Sequence, residues 1–139
     1  DFFLKDSKKP TVLISAGVGQ TPMLAMLQTL LQDEVSPNTF YLHACENAEH
    51  HAFADYLTDL AAVHSSLKHY TWYNKETKDE VFRGLMNIST VADQLPLLEG
   101  DFYLCGPTGF MAAIKQQLLA LNVDAERIHY EVFGPHQAL

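Results

Sequence analysis

The apolar positions of this chain alternate between short unbroken runs and stripes at helical spacing. Val12, Leu13, Ile14 and Ala16 form a nearly continuous run, the pattern of a strand buried on both faces of a parallel sheet. Met23, Leu24, Leu27, Leu30 and Leu31 then mark one face of a helix, and Ser36-Pro37-Asn38 ends that unit. Thr39 to His43 reads as a second strand, and Phe53, Tyr56, Leu57 and Leu60 stripe the helix after it. Leu67 to Asn74 is a third strand, rich in aromatic residues, and Lys75 to Glu80 an exposed loop or hairpin-like excursion. Ser89 is placed to cap a short helix through Leu95, with Pro96 limiting its extent. Asp101 to Cys105 predicts a fourth strand, Thr108 to Leu121 a helix and Ile128 to Phe133 a final strand. This alternation after residue 10 predicts an α/β domain over residues 11–139, a doubly wound five-stranded parallel sheet in a three-layer α/β/α arrangement. Ligands of such sheets bind at the carboxyl ends of the strands.

The 139 residues, 47% of them hydrophobic, suit one domain with a sizeable core. No apolar run reaches the roughly 18 residues that a membrane-spanning helix needs. The formal charge of −8 disfavours nucleic acid and anionic lipid as partners, because their phosphates require a basic surface. Any phosphate must then be held by local amides and single cations. Cys45 and Cys105 each follow an apolar run at a strand end and make no disulfide framework, so a reducing, cytoplasmic compartment is expected. The chain opens on Asp1, and Phe2-Phe3-Leu4 precedes a lysine-rich loop, which reads as a piece of a longer polypeptide.

Candidate chemistry begins where the first strand runs out, in Thr11 to Pro22, TVLISAGVGQTP. Gly17 and Gly19 carry no Cβ, so a phosphate can approach the backbone closely. Thr21 suits a helix N-cap and Pro22 the first helical position, where its missing N–H costs nothing. The N–H groups of such a turn attract an anion, each negative group gaining roughly 0.3–1 kcal/mol at an exposed terminus. Pro22 departs from the usual G-x-G-x-x-G fingerprint, and a strand-turn-helix without a ligand is the competing reading.

Phe102 to Met111, FYLCGPTGFM, repeats the geometry: a buried strand breaks at Gly106-Pro107 and a helix restarts near Thr108, which can cap it. On adjacent strands the two turns would share a crevice with Cys105 at its floor. Taken alone, Cys105 reads as a small buried hydrophobe, and Ile114 and Leu118 as helix core. In the ending HYEVFGPH, Ile128, Tyr130 and Val132 alternate with His129, Glu131 and Phe133. Glu131 and Phe133 thus share a face able to meet a flat ligand, or else Glu131 faces solvent and Phe133 covers the sheet. Gly134-Pro135 stops the strand.

In this order GVGQTPM, YLCGPTGFM and HYEVFGP resemble the ferredoxin-reductase-like nicotinamide domain, and in detail the C-terminal domain of the bacterial flavohemoglobins, a family of nitric oxide dioxygenases. The resemblance covers the whole chain, with DFFL and residues 1–10 similar to the end of a flavin-binding barrel and its linker. It implies that Gly17, Val18, Gly19, Gln20, Thr21 and Pro22 hold the nicotinamide half and pyrophosphate of NADH or NADPH. It sets Cys105, Gly106, Pro107 and Thr108 beside the nicotinamide. Val132, Phe133, Gly134 and Pro135 would lie against FAD, with Glu131 adjusting the flavin's redox behaviour. No residue here would then be catalytic beyond positioning cofactors. FAD and heme b would belong to flavin-binding and globin domains of the same parent chain, and the activity would be O2-dependent conversion of nitric oxide to nitrate.

Glu46, after the second strand, offers a carboxylate where the adenosine ribose would lie, with no arginine beside it. A carboxylate bonds a 2′-hydroxyl and repels a 2′-phosphate, so NADH is the expected donor, although Glu46 also suits a helix cap. Seven histidines, with His43, His50 and His51 near one loop, match no metal-ligand spacing, and no metal is expected. Two other readings compete. The reductase component of an oxygenase would pair with an iron–sulfur domain, and such chains often continue into a cysteine-rich segment. A response-regulator-like α/β module needs clustered acids at the end of the first strand, where this chain has Ser15-Ala16-Gly17.

Overall fold

The computed structural model describes residues 10–16, 27–28, 38–45, 54–73 and 82–130. In chain order these form β1 (Thr11–Ala16), β2 (Thr39–Cys45), helix α1 (Ala54–Val63), β3 (Leu67–Tyr73), β4 (Phe82–Arg83), a 3₁₀ helix (Ile88–Gln94), β5 (Asp101–Cys105), helix α2 (Thr108–Ala120), a 3₁₀ turn (Ala125–Arg127) and β6 (Ile128–Tyr130). The sheet order is β4-β3-β2-β1-β5-β6, and every neighbouring pair is parallel. The five expected strands are all present. The two-residue β4 adds an edge, matching Trp72 with Phe82 and Tyr73 with Arg83. Because that pairing is parallel, β3 and β4 are not the two arms of a hairpin; residues 75–80 themselves lie outside the described residues.

Period-two alternation along the central strands sorts the core into one cluster per face. Val12, Ile14, Phe40, Leu42, Phe102 and Leu104 point to the side covered by α2 and the 3₁₀ helix, where Met111, Ile114, Leu118, Ile88 and Val91 meet them. Leu13, Tyr41, Tyr103 and Cys105 point to the opposite side and pack with Leu27 and with Leu57 of α1. Helices on both faces make the three layers and explain why β1 reads as unbroken apolar sequence. Of the helix expected at 23–31, only Leu27 and Gln28 are described, and both are helical.

Two helix caps differ from the sequence reading. The 3₁₀ helix is capped by Asn87, whose side-chain oxygen accepts from the Ser89 N–H at 3.0 Å, so Ser89 lies inside the helix and is not its cap. For α2 the N-cap is Pro107, with no side-chain cap bond, and Thr108 is already the first helical residue. Gly106 takes the break at φ +157° and Pro107 stays extended at φ −57° and ψ 146°, which shifts the start one residue upstream of a threonine cap.

The far end of α2 is closed more tightly. Val123 N–H bonds Leu118 O and Asn122 N–H bonds Leu119 O, both at 3.0 Å, with Asn122 in the left-handed region at φ 69°. This is a Schellman closure with asparagine at the usual glycine position, completed by contact of buried Val123 with the cluster that holds Leu118. Gln117 ties α2 to the 3₁₀ helix, accepting from Ile88 N–H at 2.7 Å and donating to Met86 O at 3.2 Å. Below the sheet, Arg127 donates to Gly100 O at 2.7 Å and Leu97 O at 2.8 Å. His129 meets Asp101 Oδ1 at 3.1 Å and stacks on Tyr103, its ring centre 4.7 Å away.

Candidate nucleotide site at the switch point

From β1 the chain winds outward through β2, β3 and β4, then returns to the other side of β1 to lay down β5 and β6. The winding therefore reverses between β1 and β5, and the carboxyl ends of those two strands mark the switch point at which open α/β sheets bind ligands. Register puts Ser15 beside Cys105 at that edge. The two segments picked out in the sequence thus follow adjacent strands.

On the β5 side the geometry is defined. Cys105 ends β5 fully buried, one of the cluster with Leu13, Tyr41 and Tyr103. At Gly106 an added Cβ would stand 3.2 Å from the Ala16 carbonyl oxygen and 3.1 Å from Phe110 Cδ2. The absent side chain is therefore what lets the β5 turn lie directly against the end of β1. Past Pro107, the first intrahelical bond of α2 runs from Met111 N–H to Pro107 O at 3.0 Å. Thr108, Gly109 and Phe110 precede it, and their N–H groups are those a helix start leaves for an anion or solvent. Gly109 has nothing within 4 Å of where a Cβ would be, so this first turn is open.

Gly17, Val18, Gly19, Gln20, Thr21, Pro22, Glu46, Glu131, Val132, Phe133, Gly134 and Pro135 lie outside the described residues, as do His50 and His51. What brings their neighbourhood together is the sheet: Ala16 ends β1, Cys45 ends β2, and β6 ends at Tyr130 opposite Leu104 of β5. Within β6 the expected alternation is seen, Ile128 and Tyr130 meeting the α2-side cluster while His129 stacks on Tyr103 of the other face.

Three polar groups that the sequence reading did not connect meet in the sheet near the carboxyl end of β1. Ser15 Oγ lies 2.7 Å from His43 Nδ1 and 3.3 Å from Tyr41 Oη, and all three residues are fully buried. His43 thus lies within β2, as its place at the end of the expected second strand implies, with its side chain buried. The available signal was only that each strand carries a polar residue in an apolar run, Ser15 in β1 and His43 in β2. Among the described residues no group of three or more His, Cys, Asp or Glu side chains comes together as metal ligands would. Nor is any described helix long and apolar enough to cross a membrane. Tyr70, on β3, packs against the α2-side core, and this partial burial raises its pKa by desolvation.

Comparison with known proteins agrees with this geometry. Residues 13–116 match the oxidoreductase NAD-binding domain, and the chain belongs to that family. More narrowly, over all 139 residues it is 50% identical to the flavohemoprotein of Vibrio cholerae, of whose length it spans 34%. The crystal structure of the flavohem-like FAD/NAD-binding domain of nitric oxide dioxygenase from Vibrio cholerae superposes with a TM-score of 0.87 at 48% identity, covering 97% of this chain and 55% of that one. A flavohemoglobin from Malassezia yamatoensis, solved with FAD and heme bound, matches with a TM-score of 0.82 at 27% identity over 95% of this chain and 33% of its own.

Proposed function

We propose that this chain is the NAD(P)H-binding domain of a flavohemoglobin and presents the reduced nicotinamide to FAD held by a neighbouring flavin-binding domain. Electrons would pass from the flavin to a heme in a globin domain, where O2 converts nitric oxide to nitrate. The observation that carries the reading is the meeting of the β1 and β5 ends at the switch point, with Gly106 packed on Ala16 and the sequence continuing into GVGQTP. The residues fit such a ligand: a dry floor at Cys105, an open first turn on α2 and no carboxylate among Cys105 to Phe110.

When bound, the dinucleotide supplies the hydride, and the flavin accepts it. The chain's own task is position and exclusion of water, and no general base is needed. Gly17 to Pro22 would hold the pyrophosphate through backbone N–H groups. Cys105, Gly106, Pro107 and Thr108 would flank the nicotinamide, Glu46 would bond the ribose 2′-hydroxyl, and Val132 to Pro135 would lie against the flavin with Glu131 adjusting its potential.

The test uses the full-length protein loaded with FAD and mixed anaerobically with NADH or NADPH while flavin absorbance is followed. NADH is expected to bleach the flavin and to saturate at lower concentration than NADPH. An oxidised flavin with both donors overturns the reading, whereas tighter NADPH binding overturns only the role of Glu46. Nitric oxide consumption dependent on NADH and O2 checks the downstream steps.

A further inference from the structure

We infer that Ser15 and His43 form a positioning pair for hydride transfer: their buried hydrogen bond ties β1 to β2 near the carboxyl end of β1 and so sets where the nicotinamide is held relative to the flavin. The inference rests on the function proposed above and assigns to it two residues in the sheet interior.

Register places Cys105, Ser15, His43 and Thr71 in one row across β5, β1, β2 and β3. All four are buried. On the same face, the preceding row runs His129, Tyr103, Leu13, Tyr41 and His69 from β6 to β3. Ser15 and His43 sit in the next row on that face, the last that β5 reaches, and their side chains meet in a fully buried volume. Apolar side chains would fill that volume without desolvating an imidazole and a hydroxyl, so stability alone does not call for it. A hydrogen bond adds direction. At 2.7 Å, the Ser15 Oγ–His43 Nδ1 bond adds a buried side-chain tie to the backbone pairing of β1 with β2 and orients the two side chains, with Tyr41 Oη 3.3 Å from the same hydroxyl.

The position so fixed passes straight to the site. Ala16 follows Ser15, and its peptide meets Gly106, where a Cβ would stand only 3.2 Å from its oxygen and 3.4 Å from its nitrogen. Movement of the β1 end is thus movement of the β5 turn as well. Hydride transfer is sensitive to small misplacements, a shift of about 1 Å costing as much as roughly a hundredfold in rate.

The test measures flavin reduction by NADH in the full-length, FAD-loaded protein under stopped flow, separating the limiting rate from the half-saturating concentration. Ser15→Ala and His43→Leu are each expected to lower the limiting rate by about tenfold or more, while half-saturation moves less than about threefold. The double variant should be no slower than the slower single one, as expected of residues acting through one bond. His43→Asn, which keeps a hydrogen-bonding atom near the place of Nδ1, should recover most of the rate. Should Ser15→Ala fail to fold, Ser15→Cys, similar in shape and a weak hydrogen-bonding partner, replaces it and should show an intermediate rate. Wild-type limiting rates in the Ser15 and His43→Leu variants overturn the inference, as does a loss that follows FAD content and is not recovered by His43→Asn. A wild-type protein whose flavin NADH does not reduce sinks the underlying function and this inference with it. Normal wild-type reduction beside unaltered variants sinks the inference alone.

Discussion

Gly106 and Gly109 stand three residues apart and ask opposite things of a side chain. At Gly106 the backbone has φ +157°, and a Cβ would press on the Ala16 carbonyl at 3.2 Å and on Phe110 at 3.1 Å. The phenylalanine ring can turn away. The Ala16 peptide cannot, because it belongs to the central strand. Gly106→Ala is therefore expected to cost about 1–3 kcal/mol, seen as a lower denaturation midpoint at unchanged slope, and to slow flavin reduction in the full-length protein. At Gly109 a Cβ meets nothing within 4 Å on a helix turn, so Gly109→Ala is expected to gain up to about 1 kcal/mol through helix propensity. Equal effects at the two positions would contradict this account of the turn. Cys105 belongs to the same scale. Its complete burial makes any bulky replacement a test of packing as well as of nicotinamide placement, and Cys105→Ala is the cleaner probe.

Among the elements, α2 shows most clearly how local chemistry fixes a boundary. Its last turn depends on Asn122 at φ 69°, with Val123 folded back under Leu118. A β-branched residue in that conformation is strained, so Asn122→Val is expected to destabilise by about 1–2 kcal/mol, while Asn122→Gly should be neutral or mildly stabilising. Thermal or denaturant melts of the two variants decide it; equal melting would mean that the closure contributes nothing. The extent of α2 was legible because Ile114 and Leu118 mark its buried stripe and Gly106-Pro107 its upstream break. Its caps were harder to read. Thr108 and Ser89 are good capping residues by type, but the chain geometry set by Pro107 and the Asn87 side chain claimed those positions one or two residues earlier. The five main strands were legible from their apolar runs, whereas β4 was not, since two residues carry no periodicity. The Ser15–His43 bond escaped for a different reason: it depends on the register of β1 against β2, which no local pattern along either strand encodes.

At the level of the whole molecule, the reversal between β1 and β5 decides where everything else converges. Only because β5 returns to the far side of β1 do the segments GVGQTP and GPTGF follow neighbouring strands in the sequence, with β6 paired outside β5. Among the described residues the β6 pairing reaches Tyr130 opposite Leu104, the residue before Cys105 on the neighbouring strand. The sequence runs on from there into EVFGP, in keeping with the contact proposed for Val132 to Pro135 with a flavin held by another domain. That proposal makes Phe133 informative, because its effect must cross between domains. If Phe133 covers the flavin, it competes with the nicotinamide for the same face, and Phe133→Ala in the full-length protein should shift the visible flavin spectrum or lower the NADH concentration at half-saturation. The domain's own melting should change little. A packing role confined to this domain would show the reverse pattern, a lower melting temperature with an unaltered flavin spectrum and unaltered NADH dependence, and that result would remove Phe133 from the flavin.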